Sequence, residues 1–228
     1  MPALGGKVVV VTGGFGALGS SVVRLALAQE TKVAALGHSA KQPTGSALNL
    51  GDVDLADEKA CERAMAEVER RLGPIYGLVN VAGGFEMASL AEGGLDPWDR
   101  MYRTNLRTAL AATYAALPLM TARKSGRIVN VGAATAAKGT AAMGAYAAAK
   151  SGIARLTESL AEEMRGKGVT VNAVLPTIID TPANRAAMPR ADHRKWTAPD
   201  DIAEVILFLL SDKARAVTGA LVNVPGAA

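Results

Sequence analysis

Four consecutive valines, Val8 to Val11, run straight into the turn Thr12-Gly13-Gly14-Phe15-Gly16-Ala17-Leu18-Gly19 and then into a segment of helical periodicity. A strand that is apolar at every position cannot lie half in water, because it has no polar face to turn outward. It needs cover on both sides, and a turn leading directly into a helix begins the crossover that provides it. The start of the chain thus commits it to a parallel sheet sandwiched between helices.

The same alternation recurs along the chain. Residues 7–11, 32–36, 46–50, 75–80, 127–131, 169–175 and 221–224 read as seven strands, and 17–29, 57–71, 97–123, 143–165 and 200–210 as helices, with Pro118 late in the third. With 228 residues and 50% hydrophobic content the chain can bury a full core, and no linker-like composition interrupts it. The expected fold is α/β, a single-domain Rossmann-type doubly wound parallel seven-stranded sheet over residues 1–228, with helices on both faces. Within helix 143–165, Ile153, Leu156, Leu160 and Met164 form an apolar stripe that reads as core, while the small face of Ala154, Thr157 and Ala161 reads as a subunit contact.

Composition narrows the function classes. The net charge of +4 comes from basic residues interspersed with acidic ones, without an arm or an aromatic-studded stripe, which argues against nucleic-acid binding. His38, His193 and Cys61 are too few and too scattered for a transition-metal site, so no metal is expected, and Cys61 reads as a passive thiol within a helical pattern. The apolar run at Val8 to Val11 is too short to span a bilayer and lacks a signal-peptide layout. A soluble, cytoplasmic protein acting on a small molecule is expected, with no membrane partner.

Doubly wound sheets bind ligands beyond the carboxyl ends of their strands, and the unusual residues of this chain cluster there. The glycine turn suits a dinucleotide pyrophosphate: its backbone approaches closely, and the first amides of the following helix attract negative charge, which makes Gly13, Phe15, Gly16, Ala17, Leu18 and Gly19 cofactor candidates. After the second strand the chain reads Gly37-His38-Ser39-Ala40-Lys41, without the carboxylate that would take up a ribose 2′-hydroxyl. His38, Ser39 and Lys41 would instead receive a 2′-phosphate, so the balance between NADP and NAD tilts to NADP. Asp54 and Leu55 would flank the adenine, and Asp57 reads as a helix cap. Tyr146 and Lys150, four residues apart on a helix, face the same way. A free phenol has a pKa of about 10, and a neighbouring ammonium would lower it, suiting the pair to proton transfer beside a nicotinamide.

With these residues in view the chain resembles the short-chain dehydrogenase/reductase superfamily over essentially its whole length. Thr12-Gly13 through Gly19 is similar to its T-G-x-x-x-G-x-G turn with Ala17 at the middle glycine, Asn80-Val81-Ala82-Gly83 to its N-N-A-G element, and Tyr146 to Lys150 to its Y-x-x-x-K. The resemblance implies that Asn80, Ala82, Gly83, Pro176, Ile179 and Thr181 contact the dinucleotide. It also implies that Lys150 bonds the nicotinamide ribose, that Asn105 positions a water relaying protons to Lys150, and that Tyr146 protonates the substrate. A homodimer or homotetramer is expected on the same ground. Thirteen residues before Tyr146, where the family carries a substrate-binding Ser, stands Ala133, with Thr135 as a displaced substitute nearby.

Within the superfamily the chain is similar to dihydropteridine reductases at Gly16-Ala-Leu-Gly-Ser20, Val81-Ala-Gly-Gly84, Leu175-Pro176, Asp180-Thr-Pro182, Asn184-Arg185, Met188-Pro189, Ala191-Asp192 and Trp196-Thr197. That family also pairs Tyr with Lys without the Ser, and reduces a quinonoid dihydropterin. The chain departs from it at Gly37, where the family has an acid that favours NADH, and at Asn105, which the family does not generally keep. Loss of one oxyanion donor typically lowers rate by about 10² to 10³, a serious handicap with a ketone and a small one with a conjugated ring that spreads the incoming charge. Reduction of such a heterocycle is therefore expected, ahead of a carbonyl reductase or alcohol dehydrogenase of the same superfamily, or a cofactor-binding sensor or scaffold without turnover. Residues 183–196, with Met188 and Trp196, read as a substrate lid.

Overall fold

The computed structural model describes residues 3–38, 45 and 48–226. Seven strands form one sheet: β1 (Val8–Thr12), β2 (Lys32–Leu36), β3 (Leu48–Leu50), β4 (Ile75–Asn80), β5 (Gly126–Val131), β6 (Val169–Pro176) and β7 (Leu221–Val224). Their order is β3-β2-β1-β4-β5-β6-β7 and every pairing is parallel. This is the doubly wound, Rossmann-type architecture expected from the alternation of runs. The third predicted strand begins at Ser46, which lies outside the described residues.

The valine run shows why. Val8 and Val10 enter the core between the sheet and helices α2 (Glu58–Leu72), α5 (Thr108–Ala122) and α6 (Gly144–Glu163), alongside Met65, Met120 and Leu160. Val9 and Val11 enter the opposite core, with Val22 of α1 (Ala17–Ala28) and Ile206 of α8 (Pro199–Leu210). Full burial of a valine is worth roughly 1.5–3 kcal/mol, and the pleat collects that gain on alternate faces.

Two elements differ from the sequence expectation. The long helix predicted over 97–123 is α4 (Asp96–Met101), a π-helical turn (Tyr102–Arg107) and α5 in continuous succession. A π turn inserts one extra residue into the helical ladder, which hydrophobic periodicity alone does not reveal. Two short helices were not foreseen, α3 (Leu90–Gly93) and α7 (Pro182–Ala187), started by the caps Ser89 and Thr181. Of the apolar stripe on α6, Ile153, Leu160 and Met164 are core as expected, whereas Leu156 is half-buried. Of the small face, Thr157 and Ala161 are buried within the chain itself, because small side chains let α6 lie close to the sheet, while Ala154 is half-buried.

The chain winds outward from β1 to β3, then returns through β4 to the other half of the sheet. That reversal opens a crevice beyond the carboxyl ends of β1 and β4, the place where such sheets bind ligands.

Candidate active site

β1 ends in the glycine turn, where the fold leaves no room for a side chain at Gly13, Gly14 or Gly19. Gly13 has φ +65°, and a Cβ there would stand 2.8 Å from the backbone nitrogen of Ala82. The turn thereby lies directly against the loop after β4. Thr12 fastens the two: its hydroxyl accepts from the Ala82 amide at 3.3 Å. At the start of α1, Gly16 is the N-cap, no side chain caps the helix and no acid lies in its first turn. Uncapped amides beside a glycine cradle suit an anion. Gly16 and Ala17 are exposed there, Gly13 and Phe15 half-buried, and Leu18 and Gly19 buried behind them.

Beyond the turn lies a cavity of about 260 Å³ whose lining includes Gly13, His38, Asp54, Leu55, Ala82 and Gly83, six of the expected cofactor residues. Gly37 stands in it too, and a Cβ added there would meet the Phe15 ring at 3.0 Å. The ring thus occupies the ground beside the position where an acidic side chain was looked for. Asp57 caps α2 as expected, accepting from the Ala60 amide at 2.6 Å. Ser39 and Lys41, named as phosphate ligands, lie outside the described residues.

Asn80 is placed differently from expectation. Its side chain is buried beneath the crevice, donating to Thr113 Oγ1 at 3.0 Å and to Asn130 Oδ1 at 2.8 Å. Asn130 in turn donates to Thr157 Oγ1 at 2.9 Å. These amides and hydroxyls tie α5, β4, β5 and α6 together, and the Asn80 side chain is not among the cavity lining.

Tyr146 and Lys150 lie on α6 with Lys150 driven inward, 6% exposed, its Nζ donating to the Val131 carbonyl at 2.8 Å. A buried ammonium with a neutral partner is costly, and burial lowers the Lys150 pKa to about 8. Burial pushes the Tyr146 phenol the other way, above its ordinary value. The expected acidification of Tyr146 is therefore not what the ring's surroundings produce, because desolvation by burial is the cause that acts on it. Such a phenol stays protonated at neutral pH and suits a proton donor.

Asn105, 1% exposed, sits in the π turn. Its amide is held by backbone: Nδ2 donates to the Gly84 carbonyl at 3.0 Å and to the Met101 carbonyl at 3.2 Å, and Oδ1 accepts from the Gly84 amide at 3.1 Å. The group assigned to a water relay thus pins the loop after β4. A Cβ at Gly83 would fall 2.7 Å from Asn105 Oδ1 and 3.3 Å from Lys150 Nζ, so glycine is what lets the three elements converge.

Around the phenol the walls are apolar. Ala133, 8% exposed, packs with Ala136 and Ala147 against Tyr146, and Phe85 meets the Tyr146 ring edge-on at 5.0 Å between centroids. Thr135 is exposed on the 3-10 turn that follows Ala133.

The segment after β6 closes on itself. Pro176 is buried at the strand end, and Ile179 bridges Thr197, so that the intervening residues form a loop with a fixed neck. The Ile179 carbonyl accepts from Asn184 Nδ2 at 2.8 Å, and the Thr181 hydroxyl from the Asn184 amide at 3.1 Å. Thr177, where the family has Gly, donates to the Pro225 carbonyl at 3.2 Å. Trp196 stacks on His193 at 4.3 Å, and His193 in turn reaches the Met188 carbonyl at 2.9 Å, so the lid aromatics pack within their own segment.

Sequence reasoning missed Arg103, Thr104 and Thr108, all of which line the cavity. The signal was Asn105 itself, whose polar neighbours Arg103, Thr104 and Thr108 line the same crevice. Cys61 is buried, and burial raises its thiol to about 11, as befits a passive group. Among the described residues no group of three or more His, Cys, Asp or Glu side chains is placed to hold a metal, and no helix is long and apolar enough to cross a membrane.

Comparison with known proteins agrees with this geometry. The short chain dehydrogenase family model matches residues 7–192. A protein of Xanthobacter autotrophicus named inactive 2-(S)-hydroxypropyl-CoM dehydrogenase 2 is 38% identical over 187 residues, covering 76% of this chain and 81% of its own. Acetoacetyl-CoA reductase of Shinella zoogloeoides is 34% identical over 236 residues, covering 96% of this chain and 97% of its own. A short-chain dehydrogenase/reductase structure from Burkholderia xenovorans superposes with a TM-score of 0.91 at 29% identity, covering 99% of this chain and 97% of that one. The chain belongs to the short-chain dehydrogenase/reductase family, whose members are NAD(P)-dependent oxidoreductases.

Proposed function

We propose that the protein reduces a conjugated heterocycle, a quinonoid dihydropterin or a close analogue, with NADPH favoured over NADH. The observation that carries this reading is Ala133: the wall beside the Tyr146 phenol is made of methyl groups where a carbonyl substrate would want a second donor. A bound nicotinamide supplies the hydride. Tyr146, kept protonated by burial, donates its hydroxyl proton to the ring nitrogen that gains electron density. Lys150, charged below about pH 8, offers the positive field that stabilises the phenolate left behind, and its contact with Val131 fixes where that charge sits. Phe85, 56% exposed and already edge-on to Tyr146, offers a ring face for a flat acceptor. Ala17, Leu18 and Gly19 would hold the pyrophosphate with their amides. Ala82, Gly83, Pro176, Ile179 and Thr181 would flank the nicotinamide half, with residues 183–196 as lid. The absence of an acid at Gly37 and the presence of His38 in the cavity support a 2′-phosphate. Residues 1–228 are read as one domain, assembled into a homo-oligomer.

The similarity to acetoacetyl-CoA reductase favours a second reading, carbonyl reduction. The relative named inactive favours a third, dinucleotide binding without turnover. Steady-state oxidation of NADH and NADPH with quinonoid dihydropterin, a quinone and a β-keto ester separates the three. The proposed function predicts that the dihydropterin leads by at least about tenfold in kcat/KM. A leading β-keto ester would establish the second reading, and tight NADPH binding with no acceptor reduced would establish the third.

A further inference from the structure

Beyond the carboxyl edge of the sheet three pieces of chain meet: the exit from β6, the exit from β7, and the return of the lid toward α8. The register Pro176 to Val224 brings the two strand exits side by side. The lid returns at Thr197, whose amide donates to the Ile178 carbonyl at 3.0 Å and whose carbonyl accepts from the Asp180 amide at 2.9 Å. Two hydroxyls then fasten this neck to the segment leaving β7. Thr197 Oγ1 donates to the Val224 carbonyl and Thr177 Oγ1 to the Pro225 carbonyl, each at 3.2 Å, and the two hydroxyl oxygens lie 3.4 Å apart. Thr197 is 0% exposed, so its hydroxyl has no solvent to turn to. Gly226, at φ +88°, lets the chain turn aside there, since a Cβ would stand 3.2 Å from Thr197 Oγ1. Neither the glycine turn nor the Tyr and Lys pair requires this clasp.

We propose that Thr177 and Thr197 are positioning residues for the nicotinamide half of the coenzyme: by clasping the lid's neck to Val224 and Pro225, they hold Ile179 where it flanks the nicotinamide. The inference rests on the crevice being the dinucleotide site. Ile179 belongs to both assemblies. It bridges Thr197 in the neck, and its carbonyl accepts from Asn184 Nδ2 while Thr181 caps α7, so the neck and the first turn of the lid shift together. A loop whose ends are joined moves as a body about that joint, and what holds the joint sets how freely the loop opens. Removing a hydroxyl leaves a carbonyl without its donor, which the neck can relieve only by parting from β7 to admit water. The glycine turn and the loop after β3 belong to the other half of the sheet and keep their geometry, so the loss falls on the nicotinamide end alone.

The test compares wild type with Thr197→Val and Thr177→Val, which lose only the hydroxyl, and with Thr197→Ser and Thr177→Ser, which keep it. Titration reads the Kd for NADPH and NADH and for ADP-ribose and its 2′-phosphate, which retain the adenine and pyrophosphate but lack the nicotinamide. Each valine variant should weaken the better reduced coenzyme about fivefold while leaving the matching ADP-ribose within about twofold, and each serine variant should restore wild-type affinity. Trypsin supplies a second reading, since Arg185, Arg190 and Arg194 are exposed on the lid. With saturating coenzyme, cleavage at these residues should be at least about fivefold faster in the valine variants than in wild type. A merely structural pair of threonines would lower thermal stability and weaken coenzyme and ADP-ribose alike. Equal losses for the two ligands, or unchanged coenzyme affinity in both valine variants, overturn the proposal while leaving the coenzyme site standing. A wild type that binds no dinucleotide overturns the coenzyme-site reading and the proposal with it. Should Thr197→Val fail to fold, Thr177→Val, at a half-buried position, and its serine control decide alone.

Discussion

At the scale of single residues the site rests on two groups that burial moves in opposite directions. Tyr146 is pushed up and Lys150 down to about 8. The phenol therefore remains a donor throughout the neutral range, and the first group to change charge on raising the pH is Lys150. We predict that kcat/KM for reduction falls on an alkaline limb near pH 8, read from a pH-rate profile, and that Lys150→Arg moves this limb upward. For stability the sign is opposite: a lysine whose folded pKa lies below its unfolded 10.5 costs the fold most below about pH 8, and this cost is relieved as pH rises toward 10.5. Tyr146→Phe should lower kcat by roughly 10² to 10⁴ with coenzyme affinity nearly unchanged, as measured by single-turnover kinetics and titration. The four-residue spacing made this pair legible in the sequence. The pKa directions were not, because they depend on how deeply α6 seats Lys150 against Val131, which no local pattern records.

At the scale of elements, the central strands were legible because runs such as Val8 to Val11 have no polar face to spare. The helix over 97–123 was legible as a helix, but its π turn was not: inserting one residue into a ladder leaves the surrounding apolar pattern nearly intact. That turn matters, since it carries Arg103 and Thr104 into the crevice and Asn105 against the loop after β4. The loop after β4 is its counterpart, and Gly83 is where the two meet. Gly83→Ala would thrust a methyl group to 2.7 Å from Asn105 Oδ1 and 3.3 Å from Lys150 Nζ. Since displacement by about 1 Å can cost 10²-fold in rate, we predict at least a tenfold fall in kcat, visible in steady-state assays with saturating coenzyme. Asn80 illustrates the converse. Its place in a family motif pointed to the ligand, whereas its side chain binds Thr113 and Asn130 beneath the site.

At the scale of the whole molecule, that buried amide chain joins β4 and β5 to their covering helices α5 and α6. Asn80→Ala strands the partners of two buried hydrogen bonds, at about 1–3 kcal/mol. For a chain of this length that corresponds to a fall in Tm of roughly 2–12 °C, measurable by calorimetry, and an unchanged Tm would refute the structural role. The doubly wound fold sets the crevice and leaves the choice of acceptor to a few side chains around Tyr146. In the proposed reading Ala133 decides among acceptors, since it removes a donor that a localised alkoxide would need and a delocalised anion would not. The direct test is kcat/KM for a β-keto ester in the wild type and in Ala133→Ser. The account predicts poor ketone turnover in the wild type and a gain of about 10² or more on restoring the hydroxyl; brisk ketone reduction by the wild type, with no gain from the serine, would contradict it.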